Sequence, residues 1–263
     1  IAKQFLSSTM LKELAKSPAH LRYMLDADTA HDTPALILGR AIHCMALEGE
    51  EEFNKHFGEK KLSWATKEGK KEKERFNSLG LTALSGDDMA TVKGFTDAFN
   101  HHEAVCQLVV DGENPKFEET VLWVDEESGL GCRAKIDLCD SGVILVIDLK
   151  STQNADPEVF IRGDFWKYKY HLQAAHYAAG WMAATKSTIP PDFYFYAGEK
   201  TPPYCSKVFK VSDRVIAYAM KERRKLINVY KECLTENEWP GYEESIYTIH
   251  LPTWIERRDG NDI

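Results

Sequence analysis

The chain has 263 residues, 43% of them hydrophobic and 28% charged, with a formal net charge of −8. That is the composition of a soluble globular protein with one large domain or two small ones. The acidic balance excludes a protein that coats nucleic acid through a uniformly basic surface, but not one whose basic residues line a single groove, and apolar runs such as "VILVI" are too short to span a bilayer.

The first half reads as helical. Ser8 or Thr9 is expected to cap a helix running to Lys16, and Pro18 sits in the first turn of "SPAHLRYML". "TPALILGRAIHCMALEGEEEF" is a strong helical stretch, with Thr33 as N-cap, Pro34 in the first turn and Gly49 as a stop. On it Leu36, Arg40, His43 and Leu47 share one face. Two more helices are expected over 70–79 and 86–102. From residue 116 the pattern changes to "KFEETVLWV", "GCRAKIDLC" and "VILVIDLKS", rich in β-branched and aromatic residues and separated by turn signals. Asp156-Pro157 opens a short helix, "KYKYHLQAAHYAAGWMAAT" a second strong one. "DFYFYAG" and "YCSKVFKV" read as strands, and Ser212 caps a long helix to about 235. Helices, three strands, helix and strand make an α/β domain with a mixed sheet. The expected core runs over about 33–211, within one domain over 1–263 that includes N-terminal helices at 8–26.

The six cysteines form no C-x-x-C pair and match no zinc spacing, which suggests reduced, mostly buried thiols in a cytosolic protein. There is no G-x-S-x-G elbow, no P-loop and no G-x-G-x-x-G, so ATP-driven work would need another chain.

The hairpin "CRAKIDLCDSGVILVIDLKST" places Asp137, Asp148 and Lys150 in apolar strands. If Ser141-Gly142 forms a two-residue turn, Lys135 faces Asp148, and Asp137 and Asp148 become diagonal neighbours on one face, roughly 7–8 Å apart at the backbone. A three-residue turn would separate them. Two carboxylates so close repel unless one is protonated or a cation sits between them. Mg²⁺, bound by one or two carboxylates with water and phosphate oxygens, removes the conflict. A lysine two residues beyond Asp148 then stands where it can orient water and neutralise charge on a phosphate. The bland alternative is that Lys135 and Lys150 pair with the aspartates on a wet sheet face. His43, as a neutral imidazole, is a further candidate ligand or a core histidine. Gln173 and Tyr177 share a helix face suited to phosphate or base contacts.

"GRAIH" (39–43), "AKID" (134–137), "DLK" (148–150) and "QAAHY" (173–177) occur in this order. The set resembles the RecB-type branch of the PD-(D/E)xK nuclease superfamily, a restriction-endonuclease-like fold. "SSTMLKELAKSPAHLRYML", "SGLGCRAKIDL", "VIDLKST" and "YKYHLQAAHYAAGW" are similar to segments of the RecE-type exonucleases within it. The resemblance implies a Mg²⁺-dependent exonuclease (Mn²⁺ as substitute) on linear double-stranded DNA. It would degrade the 5′-ended strand and leave a 3′ overhang for a single-strand annealing protein of the RecT type, as a homotetramer ring. It also implies that His43, Asp137, Asp148 and the Leu149 backbone carbonyl hold metal, that Lys150 acts on the water, and that Gln173 and Tyr177 help place the DNA strand and the lysine. Relatives with an iron–sulfur cluster carry three late clustered cysteines. Only Cys205 and Cys233 come late here, so no cluster is expected. Arg162, Lys167 and Lys169 are the expected phosphate contacts, and Trp64, Trp166 and Tyr168 are candidate base-stacking groups. A sequence-specific endonuclease and a non-catalytic DNA-binding module on the same core are the competing readings.

Overall fold

The computed structural model describes residues 5–27, 32–110, 112 and 114–251. Two short helices come first, α1 (Ser8–Leu14) and α2 (Pro18–Asp26). The first cap lies one residue earlier than expected: Ser7 accepts the Met10 N–H, and the helix ends at Leu14 rather than Lys16. Next comes α3 (Pro34–His43), and Thr33 Oγ1 accepts the Leu36 N–H at its start. Gly49 does not stop the helical path. The chain passes through a π-helical turn (Cys44–Glu48) and re-enters a helix, α4 (Gly49–His56), with Gly49 at φ +87°, a conformation open to glycine at little cost. The π turn has a second effect. Leu36, Gly39, Arg40 and His43 face a cleft, while Ala41, Ile42 and Leu47 are buried.

A small parallel ladder, β1 (Phe57–Glu59) with β2 (Thr82–Leu84), brackets α5 (Lys67–Leu79). Strands of three residues carry too little pattern to be legible beforehand. Then follow α6 (Gly86–Asn100), whose Ser85 and Asp88 form a reciprocal capping box, and α7 (Glu103–Val110).

The main sheet has five strands in sequence order: β3 (Lys116–Val124), β4 (Gly131–Asp140), β5 (Leu145–Thr152), β6 (Asp192–Glu199) and β7 (Ser206–Val211). Only the β5–β6 pairing is parallel, so the sheet is mixed, as expected. The crossover from β5 to β6 runs through α8 (Pro157–Val159), a π turn (Phe160–Asp164), α9 (Phe165–Lys167) and α10 (Tyr170–Thr185). Asp156 accepts the N–H groups of Glu158 and Val159 at its start. The chain then enters α11 (Asp213–Glu236). No helix among the described residues is long and apolar enough to cross a membrane.

Both faces of the sheet are covered, which explains the apolar run of β5. On one side Leu138, Leu145, Ile147, Leu149 and Tyr196 pack with α3 and α6. On the other, Ala134, Ile136, Val146, Phe193 and Phe195 pack with α10 and the segment before it. Along β4, Ile136 belongs to the second cluster and Leu138 to the first, although residues two apart on a flat strand share a face. The strand therefore rolls at Asp137. Opposite it Glu118 has φ +52°, and the pair that would join Glu118 to Asp137 is missing from an otherwise continuous ladder.

The hairpin connection is also longer than expected. Asp140 pairs with Leu145, so four residues, 141–144, form the loop instead of two. Asp140 organises it, accepting the N–H groups of Gly142 and Val143. An even loop keeps the parity but moves the register, and one step beyond the Leu138–Ile147 pair Asp137 stands across from Asp148 rather than diagonal to it. Lys135 consequently does not face Asp148. It forms an ion pair with Glu118 on β3. All six cysteines are free thiols, four of them buried.

Candidate active site

The regular β4–β5 ladder covers Leu138–Asp140 and Leu145–Ile147. Beyond it the backbone N–H of Leu149 donates to Asp137 Oδ2 at 2.7 Å. The Asp137 side chain thus occupies the gap where a backbone carbonyl would otherwise close the ladder. In an extended strand a residue's N–H and C=O point the same way, so the Leu149 carbonyl is aimed toward that gap too.

Three elements converge on Asp137. His43, at the C-terminal end of α3, brings Nδ1 to 3.6 Å from Asp137 Oδ2 and 3.9 Å from Glu118 Oε1. One donor atom from each of His43, Glu118 and Asp137 lies within 4.8 Å of the others. Burial, and next the charge of Asp148, push the Asp137 carboxyl up to about 7. Burial alone would lower the His43 imidazole, but Asp137 and Glu118 beside it leave it raised. Burial would raise Glu118, and hydrogen bonds to His43 and Lys135 hold it below the usual carboxylate range. One imidazole and two carboxylates, one of them raised by burial and by the neighbouring Asp148 charge, make a donor set that fits a divalent cation.

Asp148 is 1% exposed and stands beside this group rather than within it. Gln173 Nε2 donates to its Oδ1, and the Lys150 ammonium pairs with its Oδ2. Lys150 Nζ is held against two aromatic faces, 5.0 Å from the Tyr170 ring centre and 5.7 Å from that of Phe195. Asp148 and Lys150 therefore sit on the α10 side of the sheet, while Asp137 fills the gap between strands. The expectation of three charges on one flat face is corrected to two on that face and one at a split in the ladder. A half-open cleft of about 780 Å³ is lined by His43, Glu118, Asp137, Leu149, Lys150, Tyr170 and Tyr177 together.

Tyr177 lies one turn after Gln173 on α10. Burial and the charges of Asp148 and Asp137 raise its hydroxyl, against hydrogen bonds from Ser8 and Gln173. The expected basic contacts are spread out. Arg162 pairs with Glu158 at 2.9 Å on the surface. Lys167 Nζ rests 5.3 Å from the Tyr168 ring centre. Lys169 lines a hollow with Lys221 and Lys225. Trp166 and Tyr168 are exposed, whereas Trp64 is engaged by Glu72 through its indole N–H and by Phe76 through its ring.

Two residues at this site carried no sequence signal. Glu118 is one acid of an adjacent pair, and only the β3–β4 register identifies which one turns inward. Lys12 reaches Gln173 Oε1 at 2.6 Å from a helix 161 residues away in sequence. Neither belongs to a local motif.

The family described as "PDDEXK-like domain of unknown function (DUF3799)" matches residues 7–252. No curated protein matches the chain. Among solved structures, one from Eubacterium rectale described as a "Putative exonuclease" superposes with a TM-score of 0.62 at 14% identity, covering 99% of this chain and 94% of that one, and shows the same fold. An alkaline exonuclease from Laribacter hongkongensis matches at a TM-score of 0.31 and 17% identity over 54% of this chain and 71% of its own. A phage-related exonuclease from Haemophilus somnus gives 0.32 and 15% over 75% and 95%. Scores as low as these two do not establish a shared fold. The mixed sheet with its flanking helices, the split at Asp137 and the family match over nearly the whole length agree: this chain belongs to the PDDEXK-like domain family, with a PD-(D/E)xK nuclease fold.

Proposed function

We propose that this protein is a metal-dependent exodeoxyribonuclease that hydrolyses linear double-stranded DNA. On this reading it degrades the 5′-ended strand and leaves a 3′ overhang, the product that a single-strand annealing protein of the RecT type would take up, and it works as a RecE-type ring of four copies. The observation that carries the proposal is the meeting of His43, Asp137, Asp148, Lys150 and Gln173 at one split in the sheet of a PDDEXK-like domain.

His43, Asp137, Asp148 and the Leu149 carbonyl, with Glu118 added from the geometry, are the groups that would hold Mg²⁺. When bound, the cation lowers the pKa of water and polarises the phosphoryl oxygen. The remaining work falls to the chain. Lys150, fixed by Asp148, Tyr170 and Phe195, presents a positive charge to the cleft, where it can orient the attacking water and stabilise charge building on the phosphate. Gln173 holds Asp148 from the far side, so the carboxylate keeps one orientation. Tyr177 stands at the cleft wall, its neutral hydroxyl held by Ser8 and Gln173.

The test is digestion of a linear duplex labelled at either the 5′ or the 3′ end, with Mg²⁺ present. Early release of 5′ label as acid-soluble nucleotide is expected, and Asp148→Ala should abolish it. Activity unchanged in Asp148→Ala would refute the assignment, while cutting of closed circular DNA would point to an endonuclease on the same core.

A further inference from the structure

Lys12 belongs to an N-terminal helix that looks like mere packing. Met10, Leu11 and Leu14 of α1 are buried against Cys132, Ile227 and Tyr230, and α1 lies along α10. A lysine at such a seam normally extends its ammonium to water. Here the half-buried side chain turns inward instead. Its Nζ lies 2.6 Å from Gln173 Oε1 and 5.2 Å from the centre of the Tyr170 ring, the ring that also carries Lys150. Among the described residues no carboxylate pairs with Lys12. Burial and the Lys150 charge lower its amine to about 7, with Asp148 opposing the shift.

A glutamine side chain has two orientations that differ by exchange of oxygen and nitrogen. In its ammonium form Lys12 only donates, so the Gln173 carbonyl faces it and the amide nitrogen is left facing Asp148 Oδ1, which as a carboxylate only accepts. In the flipped orientation a carbonyl would oppose a carboxylate and an NH₂ would oppose an ammonium, two repulsive contacts in place of two hydrogen bonds. We propose that Lys12 is a positioning residue of this active site: from α1 it fixes the amide orientation of Gln173, and through it the carboxylate of Asp148 beside Lys150. The inference rests on the nuclease reading above. It makes the N-terminal helix part of the catalytic apparatus.

The experiment is a double-substitution cycle on the full chain, with Lys12→Met, Lys12→Arg, Gln173→Ala and Lys12→Met/Gln173→Ala, each checked for fold by circular dichroism and melting. Lys12→Met should lower kcat about 10- to 100-fold, the usual effect of removing a group that orients a ligand, with KM for duplex ends little changed. It should add nothing to Gln173→Ala. Lys12→Arg, also donor-only, should recover most of the rate. An activity-independent readout is the Gln173 side-chain amide signal in the NMR spectrum, identified by its loss in Gln173→Ala, which should shift in Lys12→Met. Multiplicative losses in the cycle, or an unmoved amide signal, overturn the inference. An inactive parent instead overturns the nuclease reading, and with it any positioning role for Lys12.

Discussion

At the scale of single residues, Asp137 and Asp148 have different tasks because their surroundings differ. Asp148 has its charge matched by Lys150 and one oxygen held by Gln173. Asp137 receives a single backbone N–H and otherwise faces His43 and Glu118. A cation entering the site would meet Asp137, His43 and Glu118 first, and Glu118 is the member that sequence patterns do not mark. Glu118→Gln keeps the size and removes the charge. It should weaken Mg²⁺ binding in calorimetry by about tenfold or more, as loss of a ligand or its close support does. Unchanged affinity would place Glu118 outside the metal site and reduce it to a partner for Lys135. The motif residues were legible because each stands in a short, ordered pattern: His43 four after Gly39, Lys150 two after Asp148, Tyr177 four after Gln173. Glu118 and Lys12 were not, because what places them is a strand register and a helix seam, which no local spacing encodes.

At the scale of elements, the main-sheet strands and the longer helices were readable, while β1, β2, α7 and the connections were not. Asp140 allows the four-residue loop by accepting two backbone N–H groups, and nothing in "DSG" distinguishes that from a tighter turn. The even loop length kept Asp137 and Asp148 close while changing their alignment, and the roll at Asp137 took its side chain off the expected shared face. The anchoring of α11 was equally illegible, because its partners come from distant elements. Arg223, 4% exposed, donates from Nε to His176 Nδ1 at 3.2 Å and from its terminal nitrogens to Asp125 at 3.3 Å, while Arg224 grips the same carboxylate at 2.7 and 3.0 Å. This joins α11, α10 and the end of β3 in one buried network. Arg223 can only donate, so His176 Nδ1 must be unprotonated, and the ring's Nε2 donates to the Arg133 carbonyl at 3.0 Å. Burial and Arg223 push His176 from 6.5 down to about 3. Below pH 6.5 the unfolded chain binds a proton that the folded chain refuses, so stability falls as pH falls toward 3. Asp125 adds to this at lower pH. Burial opposes but Arg224 and Ser128 outweigh it, holding its carboxyl below 3.8, and its contribution is lost as acid protonates it. Asp137, raised to about 7, takes up a proton in the folded chain over the same range and opposes this loss. Urea unfolding of the parent and of His176→Gln, which offers an acceptor and a donor without titrating, separates the two: relative to the variant, the parent should lose stability between pH 7 and pH 5. A difference between parent and variant that is the same at both pH values would mean that His176 can accept a proton in place.

At the scale of the whole molecule, the proposed activity asks an acidic protein to hold a polyanion. With a net charge of −8, most of the surface repels DNA, and attraction must come from a local field. Inside the cleft Lys150 stands at the wall, its charge shared with Asp148. Outside, Lys169, Lys221 and Lys225 line one hollow beside the start of α10, together with Glu222, whose carboxylate pairs with His171. Lys167, two residues before Lys169, rests over Tyr168. Arg162 differs, since its guanidinium is already paired with Glu158. These differences turn the expected phosphate-binding side chains into a ranking. Removing one cation that pairs with a phosphate should reduce the slope of log affinity against log salt by about 0.9. Lys167→Ala with Lys169→Ala should therefore weaken binding to a duplex end in Ca²⁺, which suppresses cleavage, and reduce the slope by nearly twice that amount. Arg162→Ala should change both much less, because release of Glu158 leaves an extra negative charge but removes no free cation. A slope that stays the same in the double lysine variant would move the DNA path off this side of α10, toward the rim that Arg40 and Lys135 form across the cleft.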